Sequence, residues 1–318
     1  MKSIIWLGAL HYGSFIRYDL ACIFLEELIK NNFDIHIDLS DLYASGNAIE
    51  FVGKLCKDYP NIKVSIKYGL EKKIKRDGTW GVEVSNGDRK AIRKSIENYL
   101  KFIPEKNIYS FQFHAFNQDK IESWFNELIK FDFLREFGVS NMSTEEAIYV
   151  DNIAKTLSKK ITIGQIHANL LERKILNEYK ENLKIKEIIT NRSLARGFLS
   201  NRNVNGKQEV DSRTRNSQRV KDSLPLEVKL LIKKIMEISK LHSISLAQLS
   251  YLWLINNSSS HTSIKPIISP RNKNDLEEYI SISKKQPTVF NNAFNSIDSI
   301  LLGYKSYINS YPLFYLEK

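Results

Sequence analysis

The feature that most constrains this chain is an alternation, kept along most of its length, between short β-type runs and longer helical patterns. The β-type runs are Ser3–Leu7, Asp34–Asp38, Lys63–Lys67, Ile108–Phe113, Leu134–Val139, Thr162–Ile166, Ile185–Thr190 and Ser263–Ile268. The helical patterns, with apolar residues at three- and four-residue spacing, include Leu20–Asn31, Arg89–Phe102, Gln118–Phe131 and Thr144–Ser158. This alternation is typical of parallel strands joined by crossover helices. A strand count close to eight predicts an α/β fold of the (β/α)8, or TIM barrel, class.

Two segments interrupt the alternation, and an aromatic tail follows it. Gly69–Asp88 is a polar insertion after the third strand, and the stretch at about 200–224, after the seventh, is rich in Asn, Ser and Arg. Both follow strands, where a barrel carries its functional loops. The stretch at about 200–224 is either a lid over a bound ligand or a disordered loop. Residues 288–318 form an aromatic tail that either covers the barrel mouth or packs outside, and we expect residues 1–318 to form one barrel domain.

Charge and cysteine content narrow the classes of partner. The net charge is +11, but Lys and Arg are scattered and mixed with acids, so we expect a solvated basic surface and no nucleic-acid partner. Cys22 and Cys56 form no repeated spacing, so we expect neither a metal site nor a disulfide framework. No apolar run is long enough to cross a bilayer, and the first apolar run reads as a buried strand. These features favour a cytoplasmic protein without a membrane partner.

Ionisable residues fall at the ends of three successive strands. Asp38 closes the second strand, Lys67 closes the third and His114 follows the fourth. Tyr43 lies in the loop five residues after Asp38. Strand ends converge at one face of a barrel, which is where barrel enzymes have their active sites. Taken singly, each residue has a structural explanation, such as a cap or a surface charge, and only their combination predicts a site.

The four groups suit the reduction of a carbonyl. A carbonyl oxygen gains negative charge as it is reduced, so it needs a proton donor and a polarising group. Tyr43 is the predicted donor, and the ammonium of Lys67 is expected to lower its pKa. Asp38 is expected to hold Lys67, and His114 to hydrogen-bond the substrate oxygen.

Several motifs occur in the order found in one enzyme family. They are DLSDLYASGNAIE at Asp38–Glu50, VSIKYG around Lys67, FQFHAF around His114, FGVSN at Phe137–Asn141, LARGFL at Leu194–Leu199 and SLAQL at Ser245–Leu249. Because of these motifs, the chain resembles the aldo/keto reductases. The resemblance extends from the first strand to about Tyr279. The resemblance implies a TIM barrel that reduces small-molecule carbonyl substrates, with Tyr43, Lys67, Asp38 and His114 as catalytic residues.

The resemblance also implies a nicotinamide cofactor bound across the barrel mouth, NADPH in preference to NADH. No Gly-rich dinucleotide or phosphate-binding motif competes with this interpretation. By similarity, the carboxamide is bound by Ser140, Asn141 and Gln165. The phosphates and the adenosine are bound by Arg202, Arg213, Arg271, Asn272 and Glu278. Some of these residues also have a purely structural explanation. Ser140 could cap the turn after its strand, and the arginines could be solvated surface residues.

Asn191 departs from the family pattern, because a tyrosine that stacks on the nicotinamide is common at that position. This keeps open a second hypothesis, a cofactor-binding regulatory or assembly subunit like the potassium channel β subunits, which resemble the same family. A third hypothesis, a metal-dependent hydrolase on the same fold, lacks a His-x-His motif after the first strand and any clustered metal ligands. The natural substrate, the oligomeric state and the direction of reaction are not predicted.

Overall fold

The computed structural model describes residues 3–74, 80–200 and 225–304. Its strands are β1 (Ser3–Gly8), β2 (Phe33–Asp38), β3 (Lys63–Tyr68), β4 (Leu70–Ile74), β5 (Trp80–Val84), β6 (Ile108–Phe113), β7 (Glu136–Ser140), β8 (Ile161–His167), β9 (Glu187–Asn191) and β10 (Ser263–Ile268). Its α-helices are α1 (Tyr18–Lys30), α2 (Asn47–Asp58), α3 (Arg89–Leu100), α4 (Ile121–Leu128), α5 (Thr144–Thr156), α6 (Lys174–Asn182), α7 (Leu226–Leu241), α8 (Leu246–Asn256), α9 (Lys273–Ser283) and α10 (Asn291–Leu302).

Eight strands close into a barrel in the order β1, β10, β9, β8, β7, β6, β3 and β2. Every neighbouring pair in this ring is parallel. The prediction of a (β/α)8 barrel is therefore confirmed. The carboxyl ends of all eight strands lie at one rim, and this rim positions the residues discussed below.

The helices cover the barrel with apolar faces at helical spacing. In α1, Ala21, Phe24, Leu25 and Leu28 are fully buried, and they follow one another at the three- and four-residue intervals of a single helix face. Two helices begin with a capping box, Ser143 with Glu146 in α5 and Ser245 with Gln248 in α8. Each box supplies partners for amides that the first helical turn leaves without one.

The polar insertion after the third strand contains a β-hairpin. Strands β4 and β5 pair antiparallel, from Leu70 opposite Val84 to Ile74 opposite Trp80, and form a two-stranded sheet separate from the barrel. The sequence pattern did not predict this hairpin. Its first strand, LEKKI, exposes most of its side chains and so lacks the alternation that identifies a half-buried strand.

The beginning of the aromatic tail packs on the outside of the barrel. Helix α10 lies against α7 and buries Phe294 and Ile297, and Phe290 is buried just before it. This part of the tail therefore does not cover the mouth. Residues 305–318 of the expected tail and 201–224 of the expected loop lie outside the described residues.

A membrane-spanning helix is not found in the described ranges, where no helix combines sufficient length with sufficient hydropathy.

Gly53 has no side chain, and this allows α2 to pack closely against Phe102, which follows the end of α3. A methyl group at this position would lie 2.6 Å from the carbonyl oxygen of Phe102 and 2.7 Å from its Cβ. Backbone cannot give way as a flexible side chain can, so we expect Gly53→Ala to lower the free energy of unfolding by about 1–3 kcal/mol in urea denaturation. Gly303→Ala is the matched control, because its nearest neighbour, the oxygen of Ile300, would lie at 3.5 Å. Equal stability of the two variants would contradict this account.

Candidate active site

The barrel brings three of the predicted side chains to one rim. Asp38 is the last residue of β2, Lys67 lies one residue before the end of β3, and His114 directly follows β6. The amide of His114 donates to the carbonyl of Tyr68 at 2.7 Å, which extends the contact between β3 and β6 by one residue. Lys67 is fully buried, and Asp38 and His114 are nearly so. These side chains are thus withdrawn from bulk water.

A tight loop after β2 returns Tyr43 to the same point. The amide of Tyr43 donates to the carbonyl of Ser40 at 3.1 Å, and the next two residues, Ala44 and Ser45, have φ of +48° and +56°. Gly46, with φ of +95°, completes the reversal before α2 begins. The loop holds the partly buried Tyr43 side chain over the barrel, with its hydroxyl 3.0 Å from Lys67 Nζ.

Lys67, Asp38 and Tyr43 form one hydrogen-bonded group. Nζ of Lys67 lies 2.6 Å from Oδ1 and 2.8 Å from Oδ2 of Asp38 and donates to the hydroxyl of Tyr43. That hydroxyl donates to Oδ2 of Asp38 at 3.2 Å. A buried ammonium and a buried carboxylate need such pairing, since each alone would be strongly destabilising. The expected proximity of the three groups is therefore present.

The pKa of Tyr43 differs from the sequence-based expectation. Burial raises it well above its ordinary range, and the Asp38 carboxylate acts in the same direction. We expected Lys67 to lower this pKa, whereas the raising effects of burial and of Asp38 prevail. Two physical reasons account for it: the buried phenolate would be poorly solvated, and the Lys67 charge is already neutralised by Asp38. The phenol therefore keeps its proton at neutral pH.

The pKa of Lys67 is affected in two opposite ways. Burial lowers it, while the charge and the hydrogen bonds of Asp38 raise it. Asp38 is thus the group that favours the ammonium form of Lys67 in a site that otherwise opposes any charge.

His114 lies beside this group and contacts it through the Tyr43 ring. Its ring centroid lies 6.2 Å from that of Tyr43, and its Nδ1 lies 3.2 Å from the hydroxyl of Ser40. Burial is the main cause that holds the pKa of His114 well below its ordinary value, and the positive charge of Lys67 acts in the same direction. The imidazole is therefore neutral at pH 7 and carries a single N–H, on one of its two ring nitrogens.

Sequence reasoning missed Ser40, whose hydroxyl lies next to His114, and Asp41, which Ser40 contacts. Ser40 and Asp41 are joined by a hydrogen bond of 3.1 Å, and Asp41 also accepts from Ser95 of α3 at 3.1 Å. Their position between Asp38 and Tyr43 was the only available signal, and nothing in the spacing distinguished them from ordinary loop residues.

The three residues predicted to hold a carboxamide are neighbours at the ends of β7 and β8. Ser140 donates to Oε1 of Gln165 at 2.7 Å, and the same oxygen accepts from Lys67 at 3.0 Å. Nε2 of Gln165 donates to Oδ1 of Asp38 at 2.7 Å. Asn141 is exposed, with φ of +58°. Amide and hydroxyl groups in this arrangement suit a carboxamide, but Gln165 and Ser140 must exchange partners to bind one.

Asn191, where the family pattern suggests a ring, lies in a line of polar contacts across three strand ends. Its Oδ1 pairs with Nδ1 of His167, and its Nδ2 donates to Oδ1 of Asn141 at 3.4 Å. Burial lowers the pKa of His167 to about 3, so this imidazole is also neutral at pH 7. The position thus carries a hydrogen-bonding amide next to an imidazole.

Positive φ angles at residues other than glycine concentrate at this rim. Within the described ranges, Asn32, Ser158 and Ser243 follow helix ends, where such angles are common. The remaining six follow β2, β7 and β9: Ala44, Ser45, Asn141, Arg192, Ala195 and Arg196. Strained backbone of this kind is often found at functional sites.

The residues predicted to bind adenosine and phosphate are only partly described. Asn272 caps α9 by accepting from the amide of Asp275 at 3.0 Å, and Arg271 precedes this helix N-terminus. Glu278 is paired with the hydroxyl of Ser245. Arg202 and Arg213 lie outside the described residues. In the described part of the chain, no group of three or more His, Cys, Asp or Glu side chains is arranged to hold a metal ion.

Comparison with known proteins gives a family and a fold. The model of the aldo/keto reductase family matches residues 5–301. The structure of the glycerol dehydrogenase from Gluconobacter oxydans superposes with a TM-score of 0.74 at 18% identity, over 93% of this chain and 90% of that chain. At this identity the likeness concerns the fold alone. No curated protein sequence matches this chain.

Proposed function

Since the chain belongs to the aldo/keto reductase family, we propose that it reduces an aldehyde or ketone with Tyr43 as the proton donor. The family membership makes the protein an NAD(P)H-dependent oxidoreductase of small-molecule carbonyl compounds. The observation that carries the proposal is the contact of the Tyr43 hydroxyl with Lys67 at 3.0 Å, inside a group that also contains Asp38.

Each residue of the group has a distinct task. His114 donates an N–H to the carbonyl oxygen and Tyr43 gives it a proton, while bound NAD(P)H supplies the hydride for the carbonyl carbon. The raised pKa of Tyr43 keeps that proton in place until the oxygen becomes basic. Lys67 then stabilises the phenolate that remains, and Asp38 keeps Lys67 charged and in position.

We place the cofactor across the rim from β7 to β10. Asn141, Ser140 and Gln165 would bind its carboxamide, and Arg271 and Asn272, at the start of α9, lie where a helix N-terminus favours a phosphate. Arg202 and Arg213 are proposed to reach the phosphates, and Glu278 the adenine. The basic character of the chain, with a net charge of +11, supports NADPH over NADH.

For the substrate we propose a small polar carbonyl compound such as a sugar. Two polar groups lie next to His114: the hydroxyl of Ser40 at Nδ1, and the amide of Asn141, which donates to the backbone carbonyl oxygen of His114. The dehydrogenase of similar fold is named for glycerol, which is also a small polyhydroxy compound.

Cofactor binding and turnover test this proposal separately. NADPH and NADH are titrated into the full-length protein and followed by fluorescence, and a panel of aldehydes, ketones and sugars is then screened for loss of nicotinamide absorbance. We expect tighter binding of NADPH and turnover of at least one polar carbonyl compound. Absence of cofactor binding would refute the reductase, and binding without turnover across the panel would favour a regulatory subunit.

Gln165 gives a further prediction. Gln165→Met keeps the side-chain volume but removes a donor to Asp38 and an acceptor for Lys67, so we expect a loss of about 1–3 kcal/mol in urea denaturation. We also expect weaker NADPH binding by fluorescence titration, since the carboxamide loses a partner.

The matched control for Gln165 is Gln112→Met. Gln112 is equally buried, and its amide donates to Ser65 at 2.8 Å while its oxygen has no partner. This variant should lose stability but keep its NADPH affinity. An unchanged NADPH affinity in Gln165→Met would remove Gln165 from the proposed cofactor site.

A further inference from the structure

The hydroxyl of Ser40 lies between two groups that compete for its single hydrogen. Its oxygen is 3.1 Å from Oδ1 of Asp41 and 3.2 Å from Nδ1 of His114, and it accepts from the amide of Leu42 at 3.3 Å. Ser40 is fully buried, so water cannot supply a substitute partner. A hydroxyl donates only one hydrogen bond. Ser40 therefore donates either to Asp41 or to His114, and not to both.

This choice determines the tautomer of His114. If Ser40 donates to Asp41, its oxygen accepts from His114, and the ring proton must be on Nδ1. If Ser40 donates to His114, Nδ1 is the acceptor, and the proton must be on Nε2. Because the ring is neutral, it carries only one proton, and these two arrangements exclude each other.

We propose that Asp41, acting through Ser40, sets which ring nitrogen of His114 carries the proton, and is therefore a positioning residue for the substrate. This inference rests on the proposed function, in which His114 offers Nε2–H to a carbonyl oxygen. An anionic Asp41 attracts the Ser40 hydrogen strongly, because a hydrogen bond to a carboxylate is charge-assisted. A protonated Asp41 can instead donate to Ser40, which leaves the Ser40 hydrogen for His114.

The surroundings of Asp41 place this change in an accessible pH range. Burial raises the pKa of Asp41 to about 6, although the hydroxyls of Ser95 and Ser40 act in the opposite direction. The titratable groups that interact with it from the neighbouring elements are Lys67 and Tyr68 of β3, Tyr99 of α3 and Tyr43 of the loop, and His114 is linked to it through Ser40. Of these, Lys67 alone is charged near neutral pH, since burial raises the pKa of each phenol.

The sign of the pH effect follows from these contacts. Below pH 6 the neutral carboxyl favours Nε2–H, which can donate to a carbonyl oxygen. Above pH 6 the carboxylate favours Nδ1–H, which leaves Nε2 as an acceptor suited to an alcohol hydroxyl. The Asp41 and Ser40 pair thus favours carbonyl binding in acid and alcohol binding at higher pH.

The tautomer can be observed directly by ¹⁵N NMR. The full-length protein is labelled with ¹⁵N-histidine and measured without cofactor between about pH 5 and 8, and the signals of His114 are identified by their loss in His114→Gln. Nδ1 and Nε2 have distinct shifts in each tautomer. We expect the proton to move from Nε2 to Nδ1 with a midpoint near 6, the pKa of Asp41. One unchanged tautomer over the whole range would overturn the proposal.

Three variants separate this role from a structural one. Asp41→Asn, which cannot become anionic, should keep Nε2–H at every pH, and Ser40→Ala should abolish the transition by removing the bridge. Ser95→Ala is the matched control: it removes a hydrogen bond that stabilises the carboxylate, so the midpoint should move to higher pH. A wild-type midpoint in Asp41→Asn would contradict the proposal. The spectra need no turnover, so failure of the reductase assignment would be recognised independently.

Discussion

Replacing Tyr43 with phenylalanine is expected to lower kcat for carbonyl reduction by about 10²–10⁴-fold, the usual contribution of a positioned proton donor. The change removes the hydroxyl that lies 3.0 Å from Lys67 and leaves the aromatic ring in place. The dissociation constant for NADPH should remain nearly the same, because the proton is transferred only in the transition state. Steady-state kinetics and fluorescence titration measure the two quantities.

Tyr59→Phe is the matched control for this variant. It removes a hydroxyl that donates to Glu26 at 3.0 Å, on the outer helices and away from the barrel rim. Full activity is expected. Turnover by Tyr43→Phe at the wild-type rate would show that another group delivers the proton.

Lys67→Met is expected to have the largest combined effect on activity and stability. It leaves the carboxylate of Asp38 buried without its cation, and breaking a buried ion pair costs about 3–5 kcal/mol. It also removes the charge that stabilises the Tyr43 phenolate, so kcat should fall at least as far as in Tyr43→Phe. Urea denaturation and NADPH oxidation assays measure these losses.

A double variant separates charge imbalance from catalysis. Asp38→Asn combined with Lys67→Met removes both charges, so it should recover much of the lost stability but none of the activity. Lys73→Met provides the exposed comparison, since its partner Glu83 is also exposed and the loss of this pair should change the stability far less. If Lys67→Met were no less stable than Lys73→Met, the buried ion pair of Lys67 and Asp38 would stabilise the fold no more than an exposed one.

The barrel could be predicted from sequence because its strands and helices differ in period. Six of the predicted strands begin within one residue of the observed start, as in Ile108–Phe113 and Ser263–Ile268, which agree at both ends. The predicted strand Leu134–Val139 begins two residues early. The apolar Leu134 fitted the β-type run, but the pairing with β6 starts only at Glu136. The hairpin in Gly69–Asp88 escaped prediction because a two-stranded sheet outside the core needs no apolar alternation.

The proximity of the proposed catalytic residues was also predictable. Asp38, Lys67 and His114 follow from topology alone, because strand ends of a parallel barrel converge. The loop that returns Tyr43 depends on left-handed residues that have no strong sequence signal, Ala44 and Ser45. For Tyr43 the spacing from Asp38 indicated only that the loop could reach the group, and the family resemblance then supported its assignment.

Hydrogen-bond networks and pKa shifts could not be derived in this way. The direction of the Tyr43 pKa shift depends on burial and on the neutralisation of Lys67 by Asp38, which only the three-dimensional arrangement reveals. The bridge from Asp41 through Ser40 to His114 depends on side-chain orientation, and residues 41 and 114 are far apart in the chain.

The most direct test of the central claim is a crystal structure with NADP⁺ and a slowly reduced ketone bound. The claim is that a carbonyl oxygen fits between the phenol of Tyr43 and the imidazole of His114, beside the cofactor. We predict that this oxygen lies within hydrogen-bonding distance, about 2.6–3.2 Å, of both the Tyr43 hydroxyl and His114 Nε2. A ketone whose oxygen binds away from both groups, with cofactor in place, would contradict the assignment.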